Sequence, residues 1–379
     1  MNRFIAIIFS IVVLFLSLCN DRIVEAAADE ECRSYILIEA ETRTVLEEYN
    51  SDCLYNPGYL SKLMSLLLIA EDIETGKLRL DTELTVPESV RDVRGAVVWL
   101  EPGERITVDE LLKATITGNA NDAMLTLVAA SERTIDDFVS RMNSRAFDLG
   151  LRNTAFRSPC GLPDESEYST TYDIAVICSQ LSRYDSIRDY FGIWRDTVRD
   201  GKADIVSENR LTRTYPRHIG FKECHSELSG YCIAEGGRNE NNETYIAVVL
   251  GAEDQDSAES IAKKLLRKGF LEYKLSSVVF PDEFLLPLKV EHGTASAVRI
   301  RMKDSRKVVI RRDAGEISTV AVLPELITAP VSKGQVAGKV GFYSGKTLAA
   351  ESEIIICDDI EELKWHHVFR NSLTNMFKK

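Results

Sequence analysis

The stretch that decides the fold is Asn56-Pro-Gly-Tyr-Leu-Ser-Lys-Leu-Met-Ser-Leu-Leu-Leu-Ile-Ala-Glu-Asp-Ile73. From residue 60 to residue 73 apolar side chains fall nearly all round a helical cylinder, and a helix of that kind is buried on every side. Upstream lie two short β-prone runs, residues 35–39 and 44–49, which read as a hairpin. Downstream, residues 81–98 read as irregular. Thr107-Val-Asp-Glu110 then has the form of a capping box at a helix start. Helical patterns follow to residue 130, from 134 to 149, and from Thr171 or Tyr172 onward.

Strand signals return at residues 219–221, 231–234 and 245–250. The last ends in Gly251 and leads to a helix near residues 257–268. Strands therefore bracket a helical middle, two at the start and three at the end. The expected class is α/β in the α+β sense: one antiparallel sheet with helices packed over it. From about Ser276 the pattern changes. Alternating runs at 297–302, 307–310 and 317–322 predict a small all-β module, with no helical period until Glu361.

At 379 residues, two domains are the natural expectation. Apolar residues make up 45% and charged residues 28%, normal for a globular protein with a full core. The formal charge of -13 argues against a nucleic-acid partner. At the N-terminus, Arg3, the apolar residues 4–18 and Ala26-Ala-Ala28 form a signal-peptide pattern, so export to the extracytoplasmic face of the membrane or the cell wall is expected. The expected division is a signal peptide at 1–28, a main domain at 29–275, a β-rich domain at 276–359 and a tail at 360–379. In the tail, Trp365, Val368, Phe369, Leu373, Met376 and Phe377 share one helical face, ringed by Lys364, Arg370, Lys378 and Lys379. That composition suits an interfacial helix on an anionic membrane surface.

Of the eight cysteines, Cys19 leaves with the signal. A tight turn centred between Thr42 and Arg43 sets Cys32 opposite Cys53, which suggests a disulfide at the open end of the hairpin. Cys224 and Cys232 bracket a second hairpin in the same way. No cysteine pair has CxxC spacing, so no metal and no cofactor are expected. The five histidines bring no serine or aspartate partner at usable spacing and read as surface residues.

The stretch at 56–65 resembles the nucleophile segment of the low-molecular-mass penicillin-binding D-alanyl-D-alanine carboxypeptidases, serine peptidase family S11. Leu100-Glu-Pro-Gly-Glu104, Asn119-Ala-Asn-Asp-Ala123, Met142-Asn143, Leu149-Gly-Leu151 and Asn153-Thr154 resemble further landmarks in family order. So do Ser158-Pro-Cys-Gly-Leu162, Tyr168-Ser-Thr170, Gly220-Phe-Lys222, Gly230-Tyr-Cys232 and, in the β module, Val331-Ser-Lys-Gly-Gln-Val-Ala-Gly338. The likeness covers almost the whole mature chain. It implies a β-lactamase-like main domain, a second β domain, and peptidoglycan stem peptides ending in D-Ala-D-Ala, or wall enzymes, as partners.

The signatures that carry the chemistry are S-x-x-K, S-x-N and K-T-G. The serine attacks an acyl group, and the lysine three residues on lies on the same helical face and takes its proton. The second serine and the asparagine relay protons and hold substrate. The K-T-G strand binds the substrate carboxylate and supplies an oxyanion-hole N–H. Here the nucleophile position holds Tyr59, with Lys62 kept as general base. Asn119 stands in place of the second serine, and Asn121 is kept. The K-T-G position reads Lys222-Glu223-Cys224.

Each change bears on catalysis. A phenol reaches past the attack point, Asn119 cannot relay a proton, and Cys224 fills space that glycine leaves open. Glu223 would bring negative charge to a carboxylate pocket. Losing a serine nucleophile alone costs roughly 10⁶ in turnover. Ser61 lies about 200° round the helix from Tyr59 and faces away, and Ser260-Ile-Ala-Lys263 sits in the last helix without the other two signatures. The expectation is a non-catalytic family member. An active serine-type carboxypeptidase and a structural protein with a filled pocket are the alternatives.

Overall fold

The computed structural model describes residues 32–365 apart from residues 279, 281–284, 305 and 316. The expected signal peptide and the tail from residue 366 lie outside the described residues. The first hairpin is β1 (Ser34–Glu39) with β2 (Val45–Tyr49). Its turn is organised by the Glu39 carboxylate, which accepts from the Thr42 N–H and the Thr42 hydroxyl, both at 2.7 Å.

The register sets Tyr35 opposite Tyr49 and Leu37 opposite Glu47. Extended to the open end, it puts Cys32 across from Asp52. That is one residue away from the expectation, and a one-residue slip turns a side chain to the other face. The strand also stops at Tyr49, and Asn50 (φ +48°) begins a turn closed by the Cys53 N–H on the Asn50 carbonyl. Cys53 is thereby carried out to solvent, and no disulfide joins it to buried Cys32.

The quoted stretch forms a single 3-10 turn, Gly58–Ser61, running into α1 (Lys62–Glu74). Residues from Lys62 to Ala70 are buried without a break, as an all-round apolar helix must be. The chain then makes β3 (Glu83–Thr85) and β4 (Arg105–Thr107), a small hairpin, before α2 (Val108–Ile116). Thr107 caps α2 by accepting from the Glu110 N–H at 3.2 Å.

Next come α3 (Asn121–Ser131), α4 (Ile135–Asp148) and α5 (Thr171–Leu181). Asp72 of α1 is buried where α3 and α4 meet it. It accepts from Arg141 at 2.7 Å and from Ser131 at 2.5 Å, so its charge is paired rather than stranded. A second small hairpin follows, β5 (Arg195–Val198) with β6 (Ala203–Val206), which the sequence pattern did not signal.

The chain returns to the main sheet as β7 (His218–Ser226), β8 (Gly230–Arg238) and β9 (Thr244–Ala252), and leaves it through α6 (Gln255–Glu272). The sheet order is β2-β1-β9-β8-β7, antiparallel throughout. This is the expected single sheet of two early and three late strands. Central β9 is buried on both faces. Ile246, Val248 and Leu250 join the core around α1, and Tyr245, Ala247 and Val249 join the core under α6. Helices thus cover both sides of the sheet.

The rest of the described chain is all β with its own core, including Val298, Ile300, Val340, Phe342 and Ile354. β10 (Tyr273–Val278) will pair with β14 (Arg306–Arg311). β11 (Leu288–Glu291) runs between β12 (Ala297–Val298) and parallel β16 (Leu326–Thr328). β13 (Ile300–Met302), β18 (Thr347–Ile356), β17 (Val336–Ser344) and β15 (Ile317–Val322) form a four-stranded sheet in that order.

β10 begins at the residue after α6 ends. The joint is tied by Arg312, which donates to Glu243 at 2.8 Å and to the Phe270 carbonyl at 3.1 Å. The Leu275 N–H reaches the same Glu243 at 2.9 Å.

Candidate active site

Three elements meet at the N-terminus of α1: the Gly58–Ser61 turn, the Gly118-Asn119-Ala120 link between α2 and α3, and strand β7. Gly58 sits at φ +54°, and Gly161 packs so tightly against it that a Cβ there would lie 2.4 Å from the Gly58 carbonyl. Tyr59 leaves this turn half-buried. Its hydroxyl reaches the loop before β4, where a Cβ on Gly95 would come within 3.3 Å of it.

Lys62, one turn on, has no exposed surface. Its Nζ lies 5.4 Å from the centre of the Tyr59 ring, a cation–π distance. It donates to Asn119 twice, at 2.5 Å to the carbonyl and 2.6 Å to Oδ1. Asn119 takes φ +55°, which its short polar side chain tolerates. Lys222 donates to the same Oδ1 at 2.7 Å. Asn119 Nδ2 in turn donates to Glu208 at 3.2 Å, at the exposed mouth of the cluster.

Burial, with Lys222 close by, pulls the Lys62 ammonium down to about 7. Burial also lowers Lys222, against the pull of Glu208 and Cys224. The Tyr59 phenol moves the other way, raised by burial and by Cys224, Glu208 and Cys160 around it. It is therefore a protonated hydrogen-bond donor at neutral pH.

Asn121 opens α3. Its backbone N–H donates to the Ala96 carbonyl at 2.7 Å, and its Nδ2 donates to the Arg94 carbonyl at 2.5 Å. Its Oδ1 is buried with no partner among the described residues, leaving an acceptor. Cys160 lies beneath, its Sγ 3.7 Å from the Asn121 carbonyl, and burial pushes its thiol up to about 11.

Strand alternation then sorts the K-T-G position. Lys222 and Cys224 face Asn119 and the turn before Tyr59, with the Cys224 Sγ 4.0 Å from the Pro57 carbonyl. Glu223 faces the opposite side of the sheet. It pairs with Ile233, which packs under α6. Both its carboxylate oxygens lack a hydrogen bond, and burial, with Glu259 beside it, raises it to about 8. The expectation that Glu223 charges the substrate pocket is therefore corrected: the group is neutral at pH 7 and on the wrong face.

Six of the seven expected site residues thus converge: Tyr59, Lys62, Asn119, Asn121, Lys222 and Cys224. Sequence reading missed Glu208, whose only signal was an acid ten residues before β7. It also misplaced His218, whose side chain is only 5% exposed. His218 Nδ1 lies 2.6 Å from Glu235, its Nε2 lies 3.0 Å from the Phe191 carbonyl, and Asn209 donates to Glu235 at 2.8 Å. The partner sits on the adjacent strand, so spacing along the chain could not reveal it.

Chemically, a base of suitable pKa is present, but both its hydrogen bonds end on Asn119. No serine or threonine hydroxyl is among the hydrogen-bond partners of Lys62. Of the cluster, Tyr59 is half-buried and Glu208 is exposed, whereas Lys62, Asn121 and Lys222 are buried.

Comparison with known proteins agrees with this architecture. Residues 21–254 match the D-alanyl-D-alanine carboxypeptidase family, peptidase S11, and residues 273–362 match the C-terminal domain of penicillin-binding protein 5. The chain is 29% identical to D-alanyl-D-alanine carboxypeptidase DacF of Bacillus subtilis over 337 residues, covering 88% of this chain and 86% of that one. It is 27% identical to DacC of Escherichia coli, with coverage of 89% and 86%. Penicillin binding protein 5 from Haemophilus influenzae superposes with a TM-score of 0.81 at 24% identity, covering 89% of this chain and 99% of that one.

Proposed function

The chain belongs to the D-alanyl-D-alanine carboxypeptidase family of peptidoglycan metabolism, and we propose that it binds wall fragments without cleaving them. One observation carries this reading: Lys62, the family's base, is sealed between Asn119 and the Tyr59 ring, with no serine or threonine hydroxyl among its hydrogen-bond partners. The ligand is a stem peptide ending in D-Ala-D-Ala, received at half-buried Tyr59 above the buried lysine pair. A wall enzyme held at the same face is the alternative partner.

The reading puts the protein outside the cytoplasm, with residues 1–28 as export signal and residues 360–379 as an amphipathic anchor on anionic membrane. The composition of both ends supports it, and among the described residues no helix is long and apolar enough to cross a membrane.

Intact mass spectrometry of the mature protein after incubation with a penicillin tests the catalytic half. No acyl adduct is expected. An adduct mapped to Tyr59 would establish a second reading, tyrosine acylation, which the Lys62 pKa of about 7 favours. Calorimetric titration with a D-Ala-D-Ala pentapeptide tests the binding half. Absence of any heat or saturation would leave a filled, structural pocket.

A further inference from the structure

Trp99 stands out in solvent. It is 77% exposed, and no other large apolar residue between positions 55 and 134 is similarly displayed. Its backbone has φ +61°, a region that bulky residues rarely adopt. Such strain persists only where the surroundings over-determine it.

Here they do. The Val98 N–H donates to both oxygens of Asp122, at 3.2 and 3.1 Å, and the Leu100 N–H donates to the same carboxylate at 2.9 Å. Arg199 donates to the Val98 carbonyl at 3.0 Å and holds Glu104 with two bonds of 2.8 Å. Val98 and Leu100 are buried. The residues on each side are pinned inward, and the indole between them is turned out.

This display stands at the rim of the candidate site. Asp122 follows Asn121, which grips residues 94 and 96 of the same loop, and Gly95 of that loop meets the Tyr59 hydroxyl. One helix start therefore fixes both the roof over Tyr59 and the posture of Trp99.

We propose that Trp99 is a stacking platform for a pyranose ring of the amino-sugar strand that carries the stem peptide. This rests on the reading that the site holds a wall fragment. An indole face is electron-rich and attracts the weakly positive C–H groups on one side of a sugar ring. The platform is a single aromatic, and Arg94 and Glu101 on the same loop are exposed and available to hydroxyl and acetamido groups. A protein partner would call for a broader apolar patch.

The test is calorimetric titration of the mature protein and of Trp99→Ala and Trp99→Tyr with three probes. These are a disaccharide–pentapeptide, the pentapeptide alone, and a trimer of N-acetylglucosamine. The wild type is expected to bind the disaccharide–pentapeptide at least about tenfold more tightly than the pentapeptide. Trp99→Ala should lose that advantage, and Trp99→Tyr should keep most of it. Pentapeptide affinity should not change in either variant.

Equal affinity of wild type and Trp99→Ala for the disaccharide–pentapeptide would overturn the proposal and leave the peptide site standing. Failure of every probe with the wild type would overturn both. Trp99-dependent binding to phosphatidylglycerol vesicles, without any sugar dependence, would assign the indole to a lipid surface and overturn it as well.

Discussion

Lys62 and Lys222 aim their ammonium groups at one atom, the Oδ1 of Asn119, from 2.6 and 2.7 Å. Two buried cations sharing one neutral acceptor is an expensive arrangement, and it sets the first expectation.

Because folding lowers Lys62 from 10.5 to about 7, the unfolded chain binds the extra proton between those values. The Lys62 contribution to stability should therefore rise with pH across that window, by up to about 1.4 kcal/mol per unit. It should be least favourable below pH 7. Urea unfolding of wild type and Lys62→Met at pH 6.5 and pH 9 checks this. The difference between the two proteins should shift toward the wild type as pH rises, and a constant difference would contradict it.

The His218–Glu235 pair has the opposite sign. Burial opposes the His218 charge, but Glu235 and the Phe191 carbonyl more than offset it, so its pKa is raised above 6.5. The His218 share of the stabilisation is complete below 6.5 and is lost as pH climbs through the raised value, and Glu235, itself raised by burial, adds a share that is lost from 4.5 upward. Glu235→Gln should lower the His218 pKa in an NMR titration and cost about 3–5 kcal/mol, the range for breaking a buried pair.

Restoring chemistry should need several changes at once. Tyr59→Ser alone leaves Lys62 bonded to Asn119, so little penicillin adduct is expected. Tyr59→Ser with Asn119→Ser and Cys224→Gly should form one, by intact mass. Residues sharing one network are not additive, and a full adduct in the single variant would contradict this account.

Gly161→Ala tests the floor under Tyr59. The new Cβ would meet backbone at 2.4 Å, from φ +64°. A loss of about 1–3 kcal/mol is expected from the clash alone, seen as a lower melting temperature.

Cys224 and Cys232 stand opposite each other on β7 and β8, but as free thiols, without the bridge that the sequence suggested there. A thiol–thiol hydrogen bond raises Cys224 and lowers Cys232. With oxidised glutathione as electron acceptor, two thiols should give up two protons and two electrons and form one bridge. Non-reducing peptide mapping should find a single 224–232 cross-link.

The sheet was legible because its five strands are short, β-prone and separated by turns, and because an all-round apolar helix has one place to go. The site was legible wherever residues follow one another on one element, as Tyr59 and Lys62 do. It failed where position depends on register or on which face a strand residue takes. A shift of one residue moved Cys53 away from Cys32, and alternation turned Glu223 from its neighbours Lys222 and Cys224. His218 with Glu235 and Asp122 with residues 98 and 100 are pairings across elements. Nothing along the chain marks them.

The joint at Glu272 and Tyr273 has no spare residue, and Arg312 and Glu243 clamp it from both sides. Load applied to the β module is therefore delivered straight into α6 and the main sheet, with no slack tether to absorb it. Whatever surface holds that module also sets the direction in which the mouth at Glu208 looks and its height above that surface.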